Sequence, residues 1–390
     1  MNAFTFNTTQ RVVSAPGAAG NLGALAENLL GPRALFVTDA GIRKAGLESR
    51  AIASLEAHAI KVCMFDKVES NPSIGTVQSA TEMALAAGCS GVVALGGGSS
   101  LDVAKMVALL AGSNEDIDDV WGVNNAKGPR LPLVLIPTTA GTGSEATPVS
   151  IITVSGAEKR GVSSPLLLPD IAILDAELTL SLPAAATAAT GVDAMVHAIE
   201  AYSSRNANNN PFSALLAEKA LQLLGGNIET AVFDPGNMEA RSNMLLGSYV
   251  AGVAFANSPV AAVHALAYPI GGHFHVPHGL SNALILGEVL RFNADETANG
   301  SMQLYSRLAP MAFPHLDKLQ DTSARCAAFI ESLADLCQRL GLQSRLRDVG
   351  IAKTDLALLA REAMKQTRLL VNNPRVVAEA DALAIYKAAW

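Results

Sequence analysis

The chain has 390 residues, half of them apolar and only 16% charged, with a formal net charge of −7 and a pI near 5.5. That length exceeds what one hydrophobic core usually serves, so two domains are expected. The acidic balance and the lack of any Lys/Arg cluster argue against a nucleic-acid or anionic-membrane surface, which leaves small molecules as the expected partners.

The opening MNAFTFNTTQRVV has neither the basic flank nor the apolar run of a signal peptide. Cys63, Cys89, Cys326 and Cys337 form no Cys-x-x-Cys pair, which suits reduced thiols in a cytoplasmic protein. Short β-branched runs at 34–39, 60–66, 91–98, 131–137 and 171–175 then alternate with helical periodicity at 41–58, 74–88 and 99–112. Such alternation predicts an α/β domain with a mostly parallel sheet. From Pro183 onward the spacing is helical, as at 212–224 and 326–340, and predicts an all-α remainder. The expected division is 1–182, an α/β domain, and 183–390, an all-helical domain. The stretch 242–287 contains no Asp, Glu, Lys or Arg. Asn257, Ser258, Pro259, His264 and a Gly-Gly pair interrupt it, so two buried helices joined by a turn fit better than a membrane span.

Two turns after buried strands suit a nucleotide. Gly96-Gly97-Gly98-Ser99-Ser100-Leu101-Asp102 opens a helix, where glycines let backbone N–H groups approach a phosphate and the helix N-terminus favours negative charge. It is neither G-x-G-x-x-G nor a Walker loop, and a plain tight turn is the alternative. Its candidate cofactor residues are Gly97, Gly98, Ser99 and Asp102. The second turn, 137–145, offers Thr138 and Thr139, and two such loops in one sheet favour a dinucleotide. Asp39 ends the 34–39 run, where a carboxylate would accept hydrogen bonds from a ribose and repel a 2′-phosphate, selecting NAD over NADP; as an alternative it caps the next helix.

Four of the seven histidines, His264, His273, His275 and His278, fall within the charge-free stretch, and Asp193 and His197 lie four residues apart in an apolar run upstream. On a helix those two share a face. A buried Asp without a nearby Lys or Arg needs another partner. One Asp oxygen with His197 and two of the clustered histidines, taken as His264 and His278, makes a mixed O/N site suited to Fe²⁺ or Zn²⁺. Four protein ligands leave the substrate oxygen as a fifth, which ranks Fe²⁺ above Zn²⁺.

GGGSSLDVAK (96–105), PTTAGTGSEAT (137–147), GVDAMVHAIEAY (191–202) and HALAYPIGGHFHVPHGLSNA (264–283), with ESNPS (69–73) and NNPR (372–375), resemble the iron-containing (group III) alcohol dehydrogenases of the lactaldehyde reductase and 1,3-propanediol dehydrogenase type. The resemblance implies a dehydroquinate-synthase-like fold and hydride transfer between a primary alcohol and NAD. It implies the metal ligands Asp193, His197, His264 and His278. It puts Asp39 and Asn71 at the adenosine side, Gly97, Gly98 and Ser99 at the pyrophosphate, and Thr138, Thr139 and Lys159 at the nicotinamide-ribose half. It also implies at least a homodimer. Many members carry a second histidine four residues after the third ligand, where this chain has Tyr268, so His275, or else His273, is the candidate for proton transfer. The rival readings are a hydroxy-acid or oxo-acid dehydrogenase of the same family (4-hydroxybutyrate dehydrogenase or maleylacetate reductase type), which Arg375 would favour, and a dehydroquinate-synthase-like lyase.

Overall fold

The computed structural model describes residues 3–155, 158–295 and 300–390, and the chain forms two compact units. One is Asn7–Ser181; the other is Leu182–Trp390 together with the N-terminal residues up to Phe6. Phe4 and Phe6 join the second unit by packing their rings against Phe212.

In the first unit, strands β1 (Arg11–Ser14), β2 (Arg33–Val37), β3 (Lys61–Phe65), β4 (Gly91–Gly96), β6 (Leu133–Pro137) and β9 (Ile171–Leu174) form one sheet in the order β1-β9-β6-β4-β2-β3. Every pairing in it is parallel. Helices α1 (Leu22–Leu30), α2 (Ala40–Ala45), α3 (Ser49–Ala57), α4 (Ile74–Ala86) and α5 (Gly98–Ser113) alternate with these strands. The period of two sends Leu35, Val37, Val92, Ala94, Leu133 and Leu135 into one core and Ala34, Phe36, Val93, Leu95, Val134 and Ile136 into a second. Central strands covered on both faces read as unbroken apolar runs, and β4 and β6 are buried at every position.

Two expectations needed correction. The helical run 41–58 is two helices, because Gly46 adopts φ 69° and closes α2 in a left-handed cap. A second, three-stranded sheet, not expected from the sequence, joins β5 (Gly122–Val123), β7 (Val149–Ser155) and β8 (Glu158–Ser163), with β7 and β8 antiparallel. Glu158, Lys159 and Arg160 are exposed, so β8 lacks the apolar alternation of a half-buried strand.

The second unit is helical: α6 (Ala184–Ser203), α7 (Pro211–Phe233), α8 (Met238–Asn257), α9 (Ala262–Phe274), α10 (His278–Ala294), α11 (Ser301–Ala312), α12 (Thr322–Arg339), α13 (Leu356–Ala363), α14 (Thr367–Leu370) and α15 (Glu379–Ala389). Asn210 starts α7 with a capping box, accepting from Phe212 and Ser213 N–H. Within the charge-free stretch, α8 and α9 meet at 108° across the turn, and among the described residues no single helix is long and apolar enough to cross a membrane.

Candidate metal centre and nucleotide-binding turns

Three helices bring three histidines around Asp193. Asp193 and His197 lie one turn apart on α6, His264 sits in the first turn of α9, and His278 is the first residue of α10. Asp193 Oδ1 is 3.7 Å from both His264 Nε2 and His278 Nε2, and 4.0 Å from His197 Nε2. One donor atom each from Asp193, His264 and His278 falls within 4.8 Å of the others. The His197 ring stacks on His264 at 4.7 Å and on Phe255 at 4.4 Å, and Tyr268 lies 5.8 Å from the His278 ring. Asp193, His197 and His264 are buried, whereas the His278 side chain is 44% exposed, so the group is approached from the His278 side.

The close approach of α10 to α6 depends on a missing side chain. A Cβ on Gly279 would stand 2.2 Å from the Ala189 carbonyl oxygen and 3.3 Å from Asp193 Cβ. Only glycine there lets the neighbouring His278 come within reach of Asp193.

Glu200 belongs to the same centre and was not singled out from the sequence. It is one further turn along α6, three residues after His197, and fully buried. Its Oε2 accepts from His264 Nδ1–H at 2.6 Å and from Ala261 N–H at 3.0 Å, and its Oε1 accepts from Val263 N–H at 2.6 Å. It therefore satisfies the start of α9, where Ala261 provides no side-chain cap. A proton held at Nδ1 leaves the Nε2 lone pair of His264 facing Asp193, the carboxylate–histidine arrangement that orients a metal-binding imidazole.

The donor set fits a divalent transition metal. Asp193 and Glu200 are both buried, and their ion-pair partners among the described residues are histidines, with no Lys or Arg. Burial alone would raise the Asp193 pKa, but His278, His197, His264 and the Asn282 amide outweigh it and hold the carboxyl below its usual range. His264 is shifted the other way: burial opposes its charge, while Glu200 and Asp193 prevail and raise its pKa. Two buried carboxylates facing imidazoles call for positive charge, and an Asp/His set suits Fe²⁺ or Zn²⁺ better than Ca²⁺.

Among the described residues, the other two clustered histidines are not in the group of donors around Asp193. His275 caps α9 in a left-handed conformation with φ 57° and is exposed, and His273 Nε2 is 4.0 Å from Glu362. Arg375 donates to the Phe292 carbonyl at 2.6 Å and lies 4.0 Å over the Phe292 ring.

In the first unit, α5 starts at Gly97-Gly98 with no side-chain cap, which leaves first-turn N–H groups for an anion. A Cβ on Gly98 would meet Thr142 at 2.9 Å, so this turn packs closely on the 137–145 turn. Ser99 Oγ donates to the Ser70 carbonyl at 2.7 Å and Lys159 Nζ to Asn71 Oδ1 at 2.7 Å, which gathers two of the expected cofactor segments. Thr138 is buried, its backbone N–H bonded to the Gly96 carbonyl, and a Cβ on Gly97 would stand 3.9 Å from the Thr139 methyl, an ordinary van der Waals contact. Asp39 caps α2 through Gly41 and Ile42 N–H, both to Oδ1. Asp102 turns inward: it accepts from Ser144 Oγ at 2.6 Å and Ile151 N–H at 3.0 Å. Beneath it the buried Lys105 donates to Ser144 Oγ, Thr147 Oγ1 and the Val149 carbonyl.

Residues 9–176 match the model of the iron-containing alcohol dehydrogenases, and residues 187–390 match that of the family's C-terminal part. The chain belongs to the iron-containing alcohol dehydrogenase family. It is 38% identical to long-chain-alcohol dehydrogenase 1 of Geobacillus thermodenitrificans over 91% of this chain and 89% of that protein. Among solved structures of the family, a 1,3-propanediol oxidoreductase superposes with a TM-score of 0.94 at 32% identity, covering all of both chains. A sulfoacetaldehyde reductase from Bifidobacterium kashiwanohense in complex with NAD⁺ superposes at 0.86 and 28% identity, covering 99% of this chain and 98% of that one. This iron-containing alcohol dehydrogenase is thus a metal-dependent oxidoreductase acting between the alcohol and aldehyde levels.

Proposed function

We propose that the enzyme transfers a hydride between a neutral primary alcohol, or its aldehyde, and NAD(H), with iron held by Asp193, His197, His264 and His278. The observation that carries this reading is the approach of three histidine Nε2 atoms, from His197, His264 and His278, to Asp193 Oδ1 within 4.0 Å. Bound iron would supply Lewis acidity, favouring the alkoxide in one direction and a polarised carbonyl in the other. The chain's own residues do the rest. Glu200 keeps the His264 Nε2 lone pair turned inward, and Phe255 and Tyr268 give the centre aromatic neighbours. The α5 N-terminus, with Gly97, Gly98 and Ser99, is the proposed cradle for the pyrophosphate, with Asp39 and Asn71 on the adenosine side and Thr138, Thr139 and Lys159 toward the nicotinamide ribose. The NAD⁺-bound relative supports the choice of cofactor.

A neutral substrate is favoured because Arg375, the residue that would have argued for an acid, is occupied by Phe292. His275, exposed on the α9 cap, is retained as the proposed proton carrier. A cytoplasmic homodimer is proposed alongside; the four free cysteines agree with a reducing compartment. The test is NADH formation by Fe²⁺-reconstituted protein on short primary alcohols, diols and hydroxy acids, with chelated enzyme and Asp193→Ala as controls. Metal-dependent turnover of neutral alcohols, lost in the variant, is the expected result. Turnover confined to hydroxy acids, or full activity after chelation, would overturn the reading.

A further inference from the structure

Asn282 lies on α10 four residues after His278, on the same helix face, and is completely buried. Its Nδ2 donates to Asp193 Oδ1 at 2.6 Å, a contact that spans 89 residues of sequence and joins α10 to α6. The same amide nitrogen is 3.3 Å from His264 Nε2 and 3.5 Å from His278 Nε2, so it borders donors from all three helices. Its Oδ1, by contrast, is buried without a hydrogen-bond partner. An orphaned buried carbonyl destabilises the fold, and a leucine of similar shape would avoid that cost. A buried amide that leaves one end unsatisfied is being kept for what its other end does.

We propose that Asn282 is a positioning residue of the metal centre: its N–H fixes the rotamer of the Asp193 carboxylate and keeps Oδ1 directed at the histidine nitrogens. Asp193 is on the face of a helix and has rotational freedom about χ1 and χ2. Among the described contacts, the Asn282 amide is the non-histidine group that bonds its side chain. Histidines attract whichever carboxylate oxygen is nearer, whereas a directional N–H bond selects one. Because Asn282 and His278 are one turn apart on α10, the bond also locks the register of His278 against Asp193. The inference rests on the metal-centre reading and adds a residue outside the four proposed ligands. Groups that orient ligands in this way are typically worth 10–100-fold in metal affinity.

The experiment is Co²⁺ and Fe²⁺ binding by chelator competition, together with the Co²⁺ d–d absorption spectrum, for wild type, Asn282→Leu, Asn282→Ala and Asp193→Ala. Thermal unfolding of each metal-free protein serves as the fold control. The expected result is a 10–100-fold rise in the dissociation constant for both Asn282 variants, with displaced ligand-field bands and unchanged unfolding of at least one of them. Wild-type affinity and an unchanged spectrum in a folded Asn282 variant would overturn the positioning role while leaving the centre intact. If wild type and Asp193→Ala bind Co²⁺ equally weakly, the centre itself is misassigned and the role of Asn282 falls with it.

Discussion

At the residue scale, the centre is decided by carboxylates that cannot be neutralised from outside. Glu200 carries two duties with one side chain: it satisfies the backbone N–H groups that open α9, and it holds the proton on His264 Nδ1. Glu200→Gln keeps the shape but offers only one acceptor oxygen, and its amide N–H₂ must face a donor. We expect the variant to fold with metal affinity reduced roughly 10–100-fold, read by chelator competition. An unchanged affinity would mean that the His264 tautomer is set by something other than Glu200. Neither Asn282 nor Glu200 stands out in the sequence, although they lie within the 264–283 and 191–202 motifs. Their partners are 89 and 64 residues away, and periodicity reports which face a residue occupies, not what waits opposite.

At the element scale, the geometry depends on how closely α10 can lie on α6. Gly279→Ala places a methyl 2.2 Å from the Ala189 carbonyl, a backbone atom that cannot swing away. The helices must separate, and overpacking of this kind typically costs about 1–3 kcal/mol. We expect the variant to lose metal affinity and turnover together while keeping NAD binding, measured by calorimetric titration of each. Retained metal affinity would show that α10 can shift without moving His278. The turn between α8 and α9 has its own supports: Ser258 Oγ donates to the Ala201 carbonyl, Ser204 Oγ to the Pro259 carbonyl, and Asn372 Nδ2 to the Val260 carbonyl. The NNPR segment thus contributes Asn372 to the ground on which His264 stands, a role its sequence alone does not display.

At the scale of the whole molecule, the division into an α/β and a helical half was legible because buried parallel strands and amphipathic helices differ in period. The β7–β8 sheet was not, since β8 carries exposed Glu158, Lys159 and Arg160. The first unit also holds a buried group that links its stability to pH. Glu145 is buried in the first unit with both carboxylate oxygens unpartnered, and burial pushes its pKa up to about 7. A carboxyl raised in the folded state favours folding where it stays protonated. That contribution is complete below about pH 4.5 and is lost as pH climbs through 7, to the extent of about 3 kcal/mol. Glu145→Gln should flatten this slope. Of the two tryptophans, Trp121 lies in the first unit and Trp390 in the second. Urea midpoints followed by Trp121 fluorescence in a Trp390→Phe background at pH 5 and 7.5 therefore read the first unit. Parallel pH slopes with and without Glu145 would refute the assignment.

The hydrogen bonds that Glu200 and Asn282 make across α6, α9 and α10 bear on the order of assembly. In small zinc domains the ion itself draws distant ligands together, and folding waits for it. Here the Glu200 carboxylate, bonded to backbone N–H groups at the start of α9, and the Asn282 amide, bonded to the Asp193 carboxylate, already knit α6, α9 and α10 to one another. We therefore expect the chelated protein to keep α6, α9 and α10 joined and to accept its ion afterwards through the exposed His278 edge; far-ultraviolet circular dichroism that collapses on metal removal would contradict this.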